Sequence, residues 1–148
     1  ELVNAGSGDI IAGDLEGEDV KLVASGSGNI FAGAVTGEDV SVVVSGSGNI
    51  QTDEISSTTF KATLSGSGDL TATGAAVSGR YVVSGSGSVY SVDLVTKTAV
   101  ITMSGSGSVH TTVDDRLDAV ISGSGNIYLK GSPDLSITRT GSGRIIHL

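Results

Sequence analysis

The sequence predicts an all-β fold: a single-stranded, right-handed parallel β-helix (a solenoid) of about eight coils with a repeat near 20 residues. Three observations carry that prediction. Gly-Ser-Gly occurs eight times, beginning at Gly6, Gly26, Gly46, Gly66, Gly85, Gly105, Gly123 and Gly141, in steps of 20, 20, 20, 19, 20, 18 and 18 residues. Aligned on that motif, the chain falls into columns whose character alternates with the two-residue period of a strand. No window sustains a 3.6-residue apolar period, and glycine recurs throughout, so long helices are not expected.

The entering strand comes first. Four residues before the motif stand Leu2, Leu22, Val42, Ala62, Tyr81, Ile101, Ala119 and Ile137, and two before it Asn4, Ala24, Val44, Leu64, Val83, Met103, Ile121 and Arg139. Polar residues such as Lys21, Ser41, Lys61 and Arg80 occupy the position five before the motif. Four residues after it come Ile10, Ile30, Ile50, Leu70, Val89, Val109, Ile127 and Ile145, starting a second, shorter strand. The apolar columns should face a common interior. A further apolar position at Leu15, Val35, Ile55 and Leu94 precedes a second turn, exemplified by Gly17-Glu18-Asp19 and Gly37-Glu38-Asp39. Later coils carry looser turns at Ser56-Ser57-Thr58, Val95-Thr96-Lys97 and Asp114-Asp115-Arg116.

A strand that returns beside itself after one coil pairs in parallel, and one coil alone cannot bury its apolar face. The crossover preference makes a right-handed path the default. Eight coils at about 4.8 Å each make a rod roughly 35–40 Å long. We therefore expect one domain over residues 1–148, with the terminal coils near 1–10 and 134–148 acting as caps. Asn4 and Arg139 interrupt an otherwise apolar column at the two ends, and His147 stands where earlier coils have Ala12, Ala32 and Ala72.

The repeated corner calls for glycine because the backbone there needs either positive φ or close approach of neighbouring coils. Its serines, Ser7 to Ser142, would stack into a hydroxyl ladder. The following residues, Asp9, Asn29, Asn49, Asp69, Ser88, Ser108 and Asn126, would bond to the turn backbone. A phosphate-cradling loop would need a longer glycine signature opening a helix. A calcium β-roll would need a nine-residue repeat with aspartate in each turn. Neither pattern is present.

Composition narrows the function. The net charge of −8, from 16 acidic and 8 basic residues, argues against nucleic acid and against adsorption to anionic lipid. Cysteine is absent, which removes disulfides, thiolate nucleophiles and Cys-based zinc sites. No apolar run reaches transmembrane length, so no membrane insertion by this domain is expected. The start at Glu1-Leu2 shows no signal-peptide pattern, so any targeting segment would lie outside this sequence. His110 and His147 belong to no metal-spaced cluster, and no Gly-x-Ser-x-Gly elbow precedes a helix. No catalytic residues and no cofactor are expected. A carbohydrate-active β-helix enzyme would need long inserted loops beside a carboxylate groove, and the near-constant coil length leaves no room for them.

Two candidate surfaces remain. The acidic turns would bring Glu18 near Glu38 and Asp19 near Asp39, a weak Ca²⁺ candidate whose simpler account is a solvated acidic edge. The outward column five after the motif reads Ile11, Phe31, Gln51, Thr71, Tyr90, His110, Tyr128 and Ile146. Apolar and aromatic side chains on a face that meets solvent mark an interaction surface, the alternative being that they only shield the sheet.

The recurring Ser-Gly-Ser-Gly-(Asn/Asp)-(Ile/Leu) units at Ser25–Ile30, Ser45–Ile50 and Ser65–Leu70, with looser copies at Ser84–Val89, Ser104–Val109 and Ser122–Ile127, resemble the head GIN domain family. That resemblance implies an exported β-helical domain of the bacterial cell envelope, in the periplasm or on the outer surface, often behind a lipoprotein or secretory signal. It brings no catalytic residues. The expected function is a non-enzymatic adhesin or binding module for a glycan or protein at the cell surface. The alternative is a structural domain that homo-oligomerises through its exposed apolar column.

Overall fold

The computed structural model describes all 148 residues, Glu1–Leu148, and contains strands but no helix. The strands are β1 (Leu2–Asn4), β2 (Ile10–Ile11), β3 (Leu15–Glu16), β4 (Asp19–Ala24), β5 (Ile30–Val44), β6 (Ile50–Leu64) and β7 (Leu70–Thr71). They continue as β8 (Gly74–Val83), β9 (Val89–Met103), β10 (Val109–Ile121), β11 (Ile127–Lys130), β12 (Asp134–Arg139) and β13 (Ile145–His147). All belong to one sheet, and every pairing within it is parallel. The chain is a β-solenoid of about 7 turns. Eight corners bound one turn fewer than the eight coils expected.

The columns read from the sequence are the ladders of the sheet. Ile10 pairs with Ile30, Ile30 with Ile50, Ile50 with Leu70, and the series runs through Val89, Val109 and Ile127 to Ile145. Leu2, Leu22, Val42, Ala62, Tyr81, Ile101, Ala119 and Ile137 form a second unbroken ladder. Their side chains supply 12 members of an interior cluster of 31 buried hydrophobic residues.

In the first coil the second turn, Gly17-Glu18, separates β3 from β4, but in the central coils it is a bend within a continuous strand. Gly37-Glu38-Asp39, Ser56-Ser57-Thr58, Val95-Thr96-Lys97 and Asp114-Asp115-Arg116 all lie inside strands β5, β6, β9 and β10. Within β6 the buried side chains are Ile50 and Thr52, then Ile55, then Phe60, Ala62 and Leu64. The alternation slips at Asp53-Glu54 and again between Ser56 and Thr59, so each coil has three short faces. Backbone bonding follows the chain around these bends; the Glu38 and Asp39 amides, for example, both donate to Glu18 O.

The Gly-Ser-Gly corner is set by close approach. Positive φ occurs only at Gly74 (121°) and Gly131 (104°), neither in the motif. Instead, a Cβ at Gly48 would lie 1.9 Å from Gly28 O, and one at Gly46 would lie 2.1 Å from Gly26 O. Stacked corner backbones leave no volume there for a side chain. The carbonyls of Gly6, Gly26, Gly46, Gly66, Gly85 and Gly105 each accept two bonds from the next coil, as Gly26 O does from Ser47 and Gly48. The expected serine ladder is realised by one hydroxyl pair, Ser142 Oγ to Ser124 Oγ at 3.2 Å.

Gly74 explains the one coil of 19 residues between motifs. The register advances by 20 at Gln51↔Thr71 and by 19 at Ile55↔Gly74, which locates the shortening at the bend equivalent to Asp53-Glu54. At Gly74, positive φ coincides with a Cβ position only 2.1 Å from Ile55 O, so the tightened bend requires glycine.

At the N-terminal end Asn4 is buried, its amide donating to Gly8 O (2.8 Å) and Asn29 O (3.0 Å) while its oxygen accepts from Gly6 N. At the other end Leu135, Ile137 and Leu148 are exposed, Arg139 is exposed, and Ile137, Arg139 and Ile145 line an open groove.

Candidate ligand face along the outward column

The residue five after each motif points outward because its neighbours on either side point in: around Phe31, for instance, Ile30 and Ala32 are both buried. The outward residues form a single ladder in register, Ile11↔Phe31↔Gln51↔Thr71↔Tyr90↔His110↔Tyr128↔Ile146. Ile11 is 85% exposed, Phe31 39%, Tyr90 44% and Ile146 36%, so the column meets solvent along its length.

The sheet spacing dictates what the aromatic members do. Strands about 4.8 Å apart place equivalent rings at stacking distance. Tyr90 and His110 stack with centroids 5.0 Å apart and planes 27° off parallel, and His110 and Tyr128 with centroids 4.4 Å apart and planes 8° off. His110 is thus half-buried between two tyrosines, and this desolvation lowers its pKa below the ordinary histidine value. Stacking along the solenoid axis covers both faces of His110. Tyr90 keeps one face free, towards Thr71.

That free face borders an open groove of about 230 Å³ lined by Asn29, Phe31, Asn49, Ile50, Gln51, Asp69, Thr71 and Tyr90. Its polar wall is the column after the Gly-Ser-Gly motif. These Asx side chains do not bond their own turn, as the sequence suggested, but the next coil. Asn29 Oδ1 accepts from Asn49 N (2.9 Å), Asn49 Oδ1 from Asp69 N (2.7 Å) and Asp69 Oδ1 from Ser88 N (2.7 Å). The bonds hold the wall in one conformation and engage only one polar atom of each of Asn49 and Asp69. The Asn49 amide nitrogen, the second Asp69 oxygen, Gln51 and the Thr71 hydroxyl take no partner within the protein and remain available. The outward column was legible in the sequence, but the groove was not. Its wall was read as turn-capping residues, and only the cross-coil bonds show which atoms are left over.

The acidic turns are placed as expected but do not converge. Asp19 pairs in register with Asp39, and Glu18, Asp19, Glu38 and Asp39 are all exposed. No group of three or more His, Asp or Glu side chains is arranged to hold a metal ion. Asp19 lies instead beside Glu1, Leu2, Leu15, Glu16, Val20 and Lys21 around a shallow hollow at the N-terminal end. His147 pairs with Leu129 on the last strand and is exposed.

A cluster that column reading missed lies inside. Tyr81 is wholly buried, and its hydroxyl meets Ser91 Oγ at 3.5 Å and lies near Thr111 Oγ1, which completes no hydrogen bond. Burial raises the Tyr81 pKa, and the neighbouring hydroxyls oppose the rise. Ser91 donates to His110 O at 2.8 Å, which ties this interior group to the aromatic column outside.

The model of the family described as "Putative auto-transporter adhesin, head GIN domain" matches residues 31–133, more than half of the chain. None of the curated proteins matches it. Solved structures that share the fold include two proteins named as adhesins and one named as lipid-binding. A "putative adhesin" from Parabacteroides distasonis is 23% identical with a TM-score of 0.85, over 97% of this chain and 64% of that one. A "putative adhesin" from Parabacteroides merdae is 22% identical with a TM-score of 0.88, over 99% of this chain and 62% of that one. A "putative lipid binding protein" from P. distasonis is 28% identical with a TM-score of 0.81, over 99% of this chain and 59% of that one. The chain therefore spans less than two thirds of the length of each.

Proposed function

The chain belongs to the head GIN domain family, and from that premise we propose that it is a binding module of the bacterial cell envelope, an adhesin without enzymatic activity. Its contact surface is the outward column from Ile11 to Ile146. The observation that carries this reading is the stacked row Tyr90–His110–Tyr128, which sets three rings in a fixed array on a solvent-facing sheet. Prearranged aromatic side chains contribute contact area at little conformational cost, which is how rigid binding surfaces gain affinity. The non-enzymatic reading is supported by the one column histidine being held between rings, with no carboxylate cluster beside it.

Binding of the fluorescently labelled protein to immobilised bacterial and host-type glycans and proteins, with phosphatidylethanolamine vesicles as a comparison arm, tests this. Tyr90→Ser with Tyr128→Ser should abolish capture. Capture that survives both substitutions removes this face from consideration. Surface labelling of intact cells tests the envelope location, and purely cytoplasmic signal overturns it.

A second reading has its own observation. Ile11, at 85% exposure, leaves the column with an apolar end that a second copy would cover. Light scattering at high concentration decides it: a monomer excludes self-association, and a dimer lost on Ile11→Ser supports it.

A further inference from the structure

The groove between Phe31 and Tyr90 has a chemistry of its own. Its end walls are aromatic, its floor is Gln51 and Thr71, and its side wall is Asn29, Asn49 and Asp69. Phe31 and Tyr90 stand three coil steps apart in one ladder, an interval of about 14 Å. Unused hydrogen-bonding groups of both kinds line that interval: amide donors on Asn49 and Gln51, a carboxylate acceptor on Asp69, and a hydroxyl on Thr71 that can do either.

Three classes of ligand fit poorly. No Lys or Arg lines the groove, and the protein carries a net charge of −8, so phosphate, sulfate and sialic-acid groups find no counter-charge. An extended peptide finds no free strand edge, because the backbone beneath the groove is already bonded coil to coil, as in Ile30 N to Asn49 O, Ile50 N to Asp69 O and Leu70 N to Ser88 O. A lipid chain would meet amide and carboxylate groups left without partners. What matches is a ligand with an apolar ring face and a rim of hydroxyls, each of which both donates and accepts.

Resting on the reading of this face as the contact surface, we propose that the Phe31–Tyr90 groove is a binding site for a neutral glycan chain of about two sugar rings, laid parallel to the solenoid axis. One sugar packs its C–H face on the free face of Tyr90. Asp69 and Asn49 take adjacent hydroxyls from the side, and Gln51 and Thr71 take them from below. The Tyr90–His110–Tyr128 stack buttresses the wall from behind, so Tyr90 does not turn away on binding. The cross-coil bonds at the Oδ1 atoms of Asn49 and Asp69 hold the remaining polar atoms in place.

The test is a titration of the protein with neutral tetrasaccharides of glucose, mannose, galactose and N-acetylglucosamine, against sialylated and sulfated oligosaccharides, followed by calorimetry and amide chemical shifts. Binding of at least one neutral series, with shifts centred on Asn49, Gln51, Asp69 and Thr71, is expected. Gln51→Ala removes an exposed side chain with no internal bond and should weaken binding about three- to tenfold without disturbing the fold. Asp69→Asn keeps the oxygen that caps Ser88 N and changes only the other atom, and should weaken it about tenfold. A preference for anionic oligosaccharides, or no neutral binding, overturns the proposal. Capture lost in Tyr128→Ser but untouched by Gln51→Ala and Asp69→Asn leaves the face as the contact surface and overturns the groove. Capture indifferent to all of these substitutions overturns both.

Discussion

Phe60 and Tyr81 meet edge to face inside the solenoid, their centroids 5.9 Å apart and their planes at 62°, although they belong to different columns of successive coils. Phe60 stacks on Gly79 in register, and Tyr81 stacks on Ala62. Each large ring thus lies beside a small residue in the adjoining coil. Two aromatic side chains fit a core only three strands around because the residue opposite each has given up its volume.

The pairing predicts two different failures. Phe60→Ala removes a wholly buried ring that Tyr81 cannot replace, and should cost about 3–5 kcal/mol. Gly79→Ala adds a single carbon that would sit 3.0 Å from Tyr81 Cε2 and 3.2 Å from Thr96 Cγ2, and should cost about 1–3 kcal/mol. Urea denaturation followed by circular dichroism measures both. A neutral Gly79→Ala would mean that the tyrosine ring moves freely, against the packing described.

The corner glycines should divide sharply by position. Gly48→Ala drives a methyl group into Gly28 O at 1.9 Å, a backbone atom that cannot rotate away, and should cost about 3 kcal/mol or more. Gly13→Ala meets nothing within 4 Å and has no positive φ, so it should stay within about 0.5 kcal/mol of the parent. Thermal melts of the two single variants provide the comparison. Equal effects would mean that the corners are not held at the close approach described.

The contrast between those glycines also marks what the sequence could disclose. The Gly-Ser-Gly spacing predicts register because one ladder step is one repeat; Ile10 to Ile145 line up residue by residue. The same spacing is silent about where a coil is shortened without altering the corners. The slip beside Thr112 and Val113, where the register shifts twice against β9, falls between motifs and is set by local bends. The candidate site divides in the same way. Phe31, Tyr90, His110 and Tyr128 share a column, so their outward ladder is legible. The groove depends on Asp69 giving one carboxylate oxygen to Ser88 N in the next coil and keeping the other, and periodicity carries no information about that.

His110 should titrate below the ordinary histidine value, because the flanking rings desolvate its charged form. The unfolded chain then binds the proton more readily than the folded one. This residue's effect on stability is therefore neutral above about pH 6.5 and becomes a loss as pH falls from there through the lowered folded value. Imidazole resonances followed by NMR against pH give the value directly, and His110→Asn should flatten the acid limb of the stability curve. A His110 value above 6.5 would show that attraction of the imidazolium to the tyrosine faces outweighs desolvation.

Tyr81 poses the opposite case, since its ring and its hydroxyl contribute very differently. Ser91 has a single proton, and the 2.8 Å contact to His110 O engages it, so the Tyr81 hydroxyl is left to donate into Ser91 Oγ across 3.5 Å. That bond is long, and its loss leaves Ser91 still paired. Tyr81→Phe should therefore change stability at neutral pH by less than about 1 kcal/mol, while keeping the edge contact with Phe60. At high pH the two proteins should separate. Burial raises the folded pKa of Tyr81 above that of the unfolded chain, near 10, so its contribution to stability is intact below that pH and is lost as pH rises through the folded value. The phenylalanine variant has no such proton to lose and should resist alkaline unfolding better than the parent. Denaturation midpoints at pH 7 and pH 11 measure the difference, and parallel losses in both proteins would place the Tyr81 hydroxyl in contact with water.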